Sequence, residues 1–372
     1  MSHYKPQKIT LPSTATPSYA IVDEDLAVHY EATDFLTATA ERGRAINTLK
    51  KYAGDLATYL NYCESGGISW HSPNQRDLTQ FLRNLANERA VHPHTGRTYI
   101  RSNSTANAIF RTTLSFLEHL EHLGISTRHL VDGAKVRSTV PLGAGYNPAH
   151  KQWAEVTRFR SKLPEGGSSA PRIGTDTVKE VLSVSMSPRD DLLVYLLATT
   201  GIRVGEALGL RHEDLHLLGN NSALGCTVKK SHIHIIRRMN ANNAIAKSRY
   251  HRHIPITHAL VSKLDMYSDF LYAEGIESDY LFVNTQRGEV GAPLRYQTVY
   301  ELFNRLSRKV QVKITPHSLR HYCASEWRRL GTAPETIQSL LGHRSPLSMH
   351  QYIHASPADL RSAIEKAAPI VD

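Results

Sequence analysis

Cysteine is scarce in this chain, with Cys63, Cys226 and Cys323 the only three in 372 residues. The count is odd, the spacing is wide and no CxxC pair occurs. That argues against a disulfide framework and a cysteine zinc site, and for a reducing compartment. Long apolar runs are missing too: nothing approaches the roughly 18 residues that a membrane span needs. The opening MSHYKPQKITLPSTATPSYA has no apolar core of signal-peptide length. A cytoplasmic protein without a membrane partner is the expectation. Repeats and low-complexity tracts are absent. Acidic side chains vanish altogether between residues 215 and 264.

Basic side chains fill the gap. Lys+Arg is 44 and Asp+Glu is 34, so the formal net charge is 44 − 34 = +10, with a pI near 9.4. A folded basic protein of this size usually meets a polyanion, nucleic acid first among them. A basic protein with no such partner is the plain alternative. The length suggests two domains.

Residues 1–28 are rich in Pro, Ser and Thr and read as an extended arm or loose tail. Residues 29–162 follow a helical pattern. Leu49, Tyr52, Leu56, Tyr59 and Leu60 form one stripe that stops at Gly66-Gly67, and Leu78, Phe81, Leu82 and Leu85 form a second. A third helix runs from Ile109 to Leu123 and stops at Gly124. The stretch LPEGGSSAPRIG makes residues 163–173 a linker, and a second unit covers 174–372. There DDLLVYLLATTGIRVGEALGL reads as an apolar helix, a glycine turn and a second helix start. HIHIIRR and YHRHIPI alternate like strands and would form a small antiparallel sheet. Helices resume at about Thr298.

Four local motifs stand out in the second unit. TTGIRVGEALGL places Arg203 just past a glycine turn, with Glu206 one helical turn on. AKSRYHRHIPI places Lys247 between the two strands; Arg249 and Lys230 compete with it for that place. In TPHSLRHYCA, Thr315 caps a helix whose first residue is Pro316, so His317 and Arg320 stand at i and i+3. In LGHRSPLSMHQYIH, Gly342 ends a helix in a left-handed turn and presents His343, with Tyr352 nine positions later. Each has an ordinary reading. Arg203 is then a surface arginine paired with Glu206, Lys247 a solvated turn lysine, His317 and Arg320 riders on a helix face, and Tyr352 an amphipathic packing anchor.

Taken in order, G-x-R-x-x-E, a lysine eight residues before Pro255, H-x-x-R, L-G-H and the tyrosine resemble the catalytic domain of the tyrosine recombinases, the phage-integrase family. The resemblance covers roughly 174–365 by motif, and the helical unit resembles that family's core-binding, SAM-like domain in pattern. It implies a mostly α fold with a small antiparallel β-sheet. The architecture would be a two-domain clamp, with an all-helical core-binding domain and a mixed α+β catalytic domain. It implies a DNA strand transferase that uses no metal, cofactor or ATP. Tyr352 would attack the scissile phosphate, form a 3′-phosphotyrosyl link and free a 5′-hydroxyl. A tyrosine of pKa about 10 needs help to do so, and positioned cations stabilise the charge that gathers on the phosphate oxygens. Arg203, Arg320 and His343 would grip that phosphate. Lys247 would be the general acid, His317 would assist, and Glu206 would hold Arg203 from behind.

The implied partners are double-stranded DNA recombination sites, a homo-tetramer in the synaptic complex with a monomer or dimer off DNA, and accessory recombination proteins. When bound to DNA the protein would associate with the bacterial nucleoid. A helix from about Pro357, with Leu360 and Ile364 on one face, would dock on a neighbouring subunit. Three other classes stay open: a DNA-binding regulator with this fold, against which Tyr352 speaks; a metal-dependent nuclease, weakened by the lack of carboxylates near HIHIIRR; and a type IB topoisomerase-like enzyme using similar chemistry on one strand.

Overall fold

A computed structural model of the chain describes residues 3–11, 16–91, 96–141, 153–159, 162–165, 173–246, 251–286, 288–342 and 357–367. The chain folds as two compact units, Met1–Ser168 and Ser169–Asp372. Both are mostly helical, with small antiparallel sheets. Among the described residues, no helix is long and apolar enough to cross a membrane.

The first unit begins with a hairpin. Strands β1 (Lys5–Thr10) and β2 (Pro17–Val22) pair antiparallel with Lys5 opposite Val22. This corrects the expectation of a loose tail. Tyr19-Ala20-Ile21-Val22 is apolar enough to hold the segment down, and Ala20, Ile21 and Val22 are buried. Then come the helices α1 (Tyr30–Glu41), α2 (Ile46–Gly66), α3 (Gln75–Asn87), α4 (Asn103–Leu120) and α5 (Arg128–Ala134). The Tyr4 backbone N–H donates to Asn61 Oδ1 at 2.7 Å, and Asn61 Nδ2 returns a bond to the Tyr4 carbonyl at 3.0 Å, which ties the hairpin to α2. Further hairpins are β3 (Arg89–Val91) with β4 (Thr98–Ile100), and β5 (Lys135–Pro141) with β6 (Trp153–Phe159).

The expected stripes form the core of this unit. Leu49, Leu56, Tyr59 and Leu60 of α2 are buried, Tyr52 is half-buried, and all four apolar residues of the α3 stripe are buried. Each of those α3 side chains is worth about 1.5–3 kcal/mol on leaving water. Gly67, at φ 60°, ends α2. Helix α4 starts earlier than its apolar pattern does, because Ser102 caps it, and ends in a 3₁₀ turn at Gly124. Leu163 belongs with this unit: Asn107 holds its backbone N–H and its carbonyl, each at 2.9 Å.

The second unit packs its helices around one core. It contains α6 (Thr175–Ser183), α7 (Pro188–Thr200), the single turn α8 (Val204–Ala207), and a three-stranded sheet of β7 (Leu215–His216), β8 (His232–Ile235) and β9 (Arg252–Pro255). The strands alternate cleanly, since neighbouring side chains point to opposite faces. Ile233, Ile235 and Ile254 enter the core. His216 faces His232, and His234 faces His253, on the other side. Helix α9 (His258–Ala273) comes next, well before Thr298, and corrects the expectation that helices resume there. Thr257 caps it, and Leu260, Leu264, Tyr267 and Leu271 are its buried stripe. The helices α10 (Tyr296–Lys309), α11 (Pro316–Arg329), α12 (Pro334–Leu341) and α13 (Pro357–Ala367) complete the unit. Trp327 of α11 is fully buried, and Cys323 donates to the Ala198 carbonyl at 2.9 Å, which fixes α11 against α7.

Gly201 closes α7 at φ 60°, and a Cβ there would meet Cys323 Cβ at 3.1 Å and Trp327 Cη2 at 3.2 Å. Gly201→Ala therefore adds left-handed strain of about 1–2 kcal/mol to overpacking of about 1–3 kcal/mol. A urea titration should show a loss of about 2–5 kcal/mol. An unchanged midpoint would mean that the turn relaxes freely.

Candidate active site

The turn between α7 and α8 builds the first wall. Left-handed Gly201 reverses the chain and leaves Arg203 as the cap of α8. Glu206, at the third position of that turn, folds back so that Oε2 accepts the Arg203 backbone N–H at 2.8 Å. Its Oε1 accepts from Arg203 Nη1 at 3.1 Å. The Glu206 side chain is 0% exposed and that of Arg203 is 25% exposed. A carboxylate so deeply buried needs more than one cation.

Arg252 of β9 supplies the second. Its Nη2 donates to Glu206 Oε2 at 2.7 Å and its Nη1 to Oε1 at 3.2 Å, the two-pronged geometry in which guanidinium and carboxylate match best. Nε donates to the Leu340 carbonyl at 3.2 Å. Arg320 of α11 supplies the third. Thr315 caps that helix through the Ser318 N–H at 3.0 Å, and Pro316 occupies its first position. Arg320 then reaches inward, 5% exposed. Nη1 donates to the Gly201 carbonyl at 2.6 Å and Nη2 to the Leu341 carbonyl at 2.5 Å. Those carbonyls stand at the C-terminal ends of α7 and α12, where the helix dipole favours a cation.

Among the described residues, the cluster therefore holds three guanidinium groups and one carboxylate, +3 − 1 = +2. Burial first, then repulsion from Arg203 and Arg252 offset in part by Glu206, pushes Arg320 down to about 10, so it stays charged at neutral pH. Burial alone would raise Glu206. Its hydrogen bonds to Arg252 and that residue's charge, with the Arg203 N–H and charge, outweigh burial and hold the carboxyl below the usual range. A surplus of fixed positive charge in a dry setting suits an anion with several oxygens.

The structure thus brings Arg203, Glu206 and Arg320 together. His317 has a different setting, exposed on the first turn of α11 with Nε2 2.9 Å from His321 Nε2. Lys247, His343 and Tyr352 lie outside the described residues, as does Arg249. Lys230 lies in the exposed loop before β8, at φ 62°. Gly342, which precedes His343 in sequence, is left-handed at φ 61°, and a Cβ on it would meet Arg252 Nη1 at 2.8 Å. Arg252 is the residue that the motif reading missed. A signal existed: in RHIPI, alternation sets Arg252 on the same face as buried Ile254, where a cation needs a carboxylate.

Residues 172–359 match the family model described as the phage integrase family, and residues 34–112 match the N-terminal SAM-like domain of phage integrases. Transposase A from transposon Tn554 of Staphylococcus aureus is 28% identical over 370 residues, which cover 97% of each chain. Tyrosine recombinase XerA of Pyrococcus horikoshii is 33% identical over 259 residues, 69% of this chain and 80% of the relative. Among solved structures, the Tn1549 transposon integrase in complex with circular intermediate DNA has a TM-score of 0.56 at 15% identity, covering 89% of this chain and 98% of that one. A lambda integrase tetramer bound to a Holliday junction has a TM-score of 0.55 at 16% identity, covering 88% and 80%. These two likenesses are of fold.

Glu206→Gln removes the charge that holds Arg203 and Arg252 together and should destabilise by about 3 kcal/mol. Because the folded carboxyl sits below its unfolded value of about 4.3, its contribution is full above that pH and is lost as pH falls through the folded value. Denaturant titrations should show the gap between native chain and variant at neutral pH and its narrowing as pH falls below about 4. A gap that does not change with pH would contradict this account.

Proposed function

The chain belongs to the phage integrase family and is a site-specific recombinase of the tyrosine type, and from that premise we propose that its buried arginine–glutamate cluster grips the scissile phosphate of duplex DNA for attack by Tyr352. The observation that carries the reading is the +2 cluster of Arg203, Arg252 and Arg320 around Glu206. A phosphodiester passing through a five-coordinate transition state gathers negative charge on its non-bridging oxygens. Guanidinium groups already fixed in place stabilise that charge without reorganising.

In this reading Arg203 and Arg320 contact the phosphate. Glu206 holds Arg203, and Arg252 positions both by pinning Glu206 and the end of α12. The Tyr352 oxygen attacks phosphorus and loses its proton, with His317 assisting. The bond from phosphorus to the 5′-oxygen breaks, and Lys247 gives that oxygen a proton. A 3′-phosphotyrosyl bond now keeps the phosphoester energy, so a 5′-hydroxyl from a partner strand can reverse the step without ATP. His343 donates a further hydrogen bond to the phosphate. The roles of Lys247, His317, His343 and Tyr352 rest on the family resemblance.

The domain assignment goes with this. Residues 29–162 are proposed as the core-binding domain, 163–173 as the linker and 174–372 as the catalytic domain. The Tn554 relative is named a transposase, which supports work on a mobile element: integration, excision or transposition. The lambda neighbour was solved as a tetramer on a Holliday junction, which supports a homo-tetramer in the synaptic complex here.

Tyr352→Phe keeps the ring and loses the attacking oxygen. It should bind its DNA site as the native chain does and form no protein-linked DNA in a suicide-substrate assay. A covalent adduct from that variant would sink the assignment.

Arg203→Ala should slow single-turnover cleavage by about 10²-fold or more. Its affinity for DNA should fall only slightly, since many other cations contact phosphates. A large loss of affinity with an unchanged rate in the bound complex would make Arg203 a binding residue instead.

A further inference from the structure

The histidine face of the three-stranded sheet is not absorbed by the recombination chemistry. His216, His232 and His234 gather there, and the loop between β7 and β8 brings Cys226 to them. One ligand atom from each of the four lies within 4.8 Å of every other. We propose that His216, Cys226, His232 and His234 bind one structural zinc ion, which fastens that loop to the sheet.

The distances fit the ion. Tetrahedral zinc with bonds of about 2.0 Å to nitrogen and 2.3 Å to sulfur separates its ligands by roughly 3.3 Å for two nitrogens and 3.6 Å for nitrogen and sulfur. Here His232 Nε2 stands 3.0 Å from His234 Nε2, and Cys226 Sγ stands 3.4 Å and 3.5 Å from those two atoms. The donor set, three imidazoles and one thiolate, is one that zinc favours.

The surroundings prepare the ligands. His232 Nδ1 donates to the Lys230 carbonyl at 2.8 Å, which leaves the lone pair on Nε2, facing Cys226 and His234. One lone pair cannot serve both as a hydrogen-bond acceptor, whereas a metal ion satisfies all three groups at once. The Val228 N–H points at Cys226 Sγ from 3.4 Å. His216 Nδ1 is buried and has no hydrogen-bond partner among the described residues. Buried Asn221 shapes the loop: its Nδ2 donates to the carbonyls of Leu218, Val228 and Lys230 at 3.0–3.1 Å.

The site is structural in kind. Four protein ligands leave no open position for water or phosphate. The histidines also point to the opposite face of the sheet from Arg252, so the ion stands apart from the arginine cluster. Binding releases the thiol proton, Cys–SH plus Zn²⁺ giving Cys–S–Zn⁺ and H⁺. The loop so fastened carries exposed Lys229 and Lys230.

The test uses the tag-free full chain, since a histidine tag would itself hold metal. Plasma mass spectrometry after expression with zinc should find one zinc per chain, and chelation should lower the melting temperature. Cobalt replacing zinc should give a sulfur-to-cobalt charge-transfer band and the intense visible bands of a tetrahedral ion. Cys226→Ser should lose the charge-transfer band while keeping the native circular dichroism. If that variant does not fold, the cobalt spectrum of the native chain decides alone. A native chain that takes up no stoichiometric zinc, or cobalt that binds without the sulfur band, overturns the proposal.

Discussion

One buried carboxylate holds the centre of the second unit together. Glu206 accepts from the main chain of Arg203, from its guanidinium and from that of Arg252. Removing a carboxylate from water is costly, and a single surface arginine would not compensate. Two cations and a backbone N–H do, and in return the carboxylate fixes both arginines. It thereby joins a helix turn at residue 203 to a strand at residue 252. Arg320 can then lie close by without expelling its neighbours, because one negative charge sits among the three positive ones.

Much of this was legible in the sequence, for identifiable reasons. Helix ends were readable because their chemistry is local. Gly67, Gly201 and Gly342 all take the left-handed turn that their places after apolar runs imply, and Thr315 with Pro316 opens α11 as their types require. Arg203, Glu206 and Arg320 were readable because their motifs are short and their chemistry distinctive. Other features needed the third dimension. Arg252 belongs to the cluster through a bond to a residue 46 positions away, and only the parity of its strand hinted at burial. The start of the chain read as a tail because proline and serine masked the apolar YAIV segment. Helix α9 was not expected although its buried residues recur at helical spacing, since it follows directly on a basic, strand-like stretch that masks its start.

The sheet shows how one element serves two purposes. Its core face carries isoleucines and Arg252; its other face carries histidines. A shift of one residue in register would exchange the two sets, sending Arg252 away from Glu206 and the histidines into the core. Cys226 gave no signal in the sequence because no second cysteine accompanies it. Its neighbours come instead from His216, ten positions before it, and from His232 and His234 after it. Strand pairing, not a linear motif, makes the set.

Arg320 and Arg252 also share an unusual kind of partner. Their remaining bonds to α12 and to the α7 turn go to carbonyl oxygens of Gly201, Leu340 and Leu341. Those oxygens belong to the main chain, and every amino acid has one. Replacing Leu340 or Leu341 with another apolar residue that keeps the helix therefore leaves the acceptor oxygen in place. The acceptors would remain where they are, and so would the two guanidinium groups. At these two positions the electrostatics of the site depend on the backbone path rather than on which side chain is present.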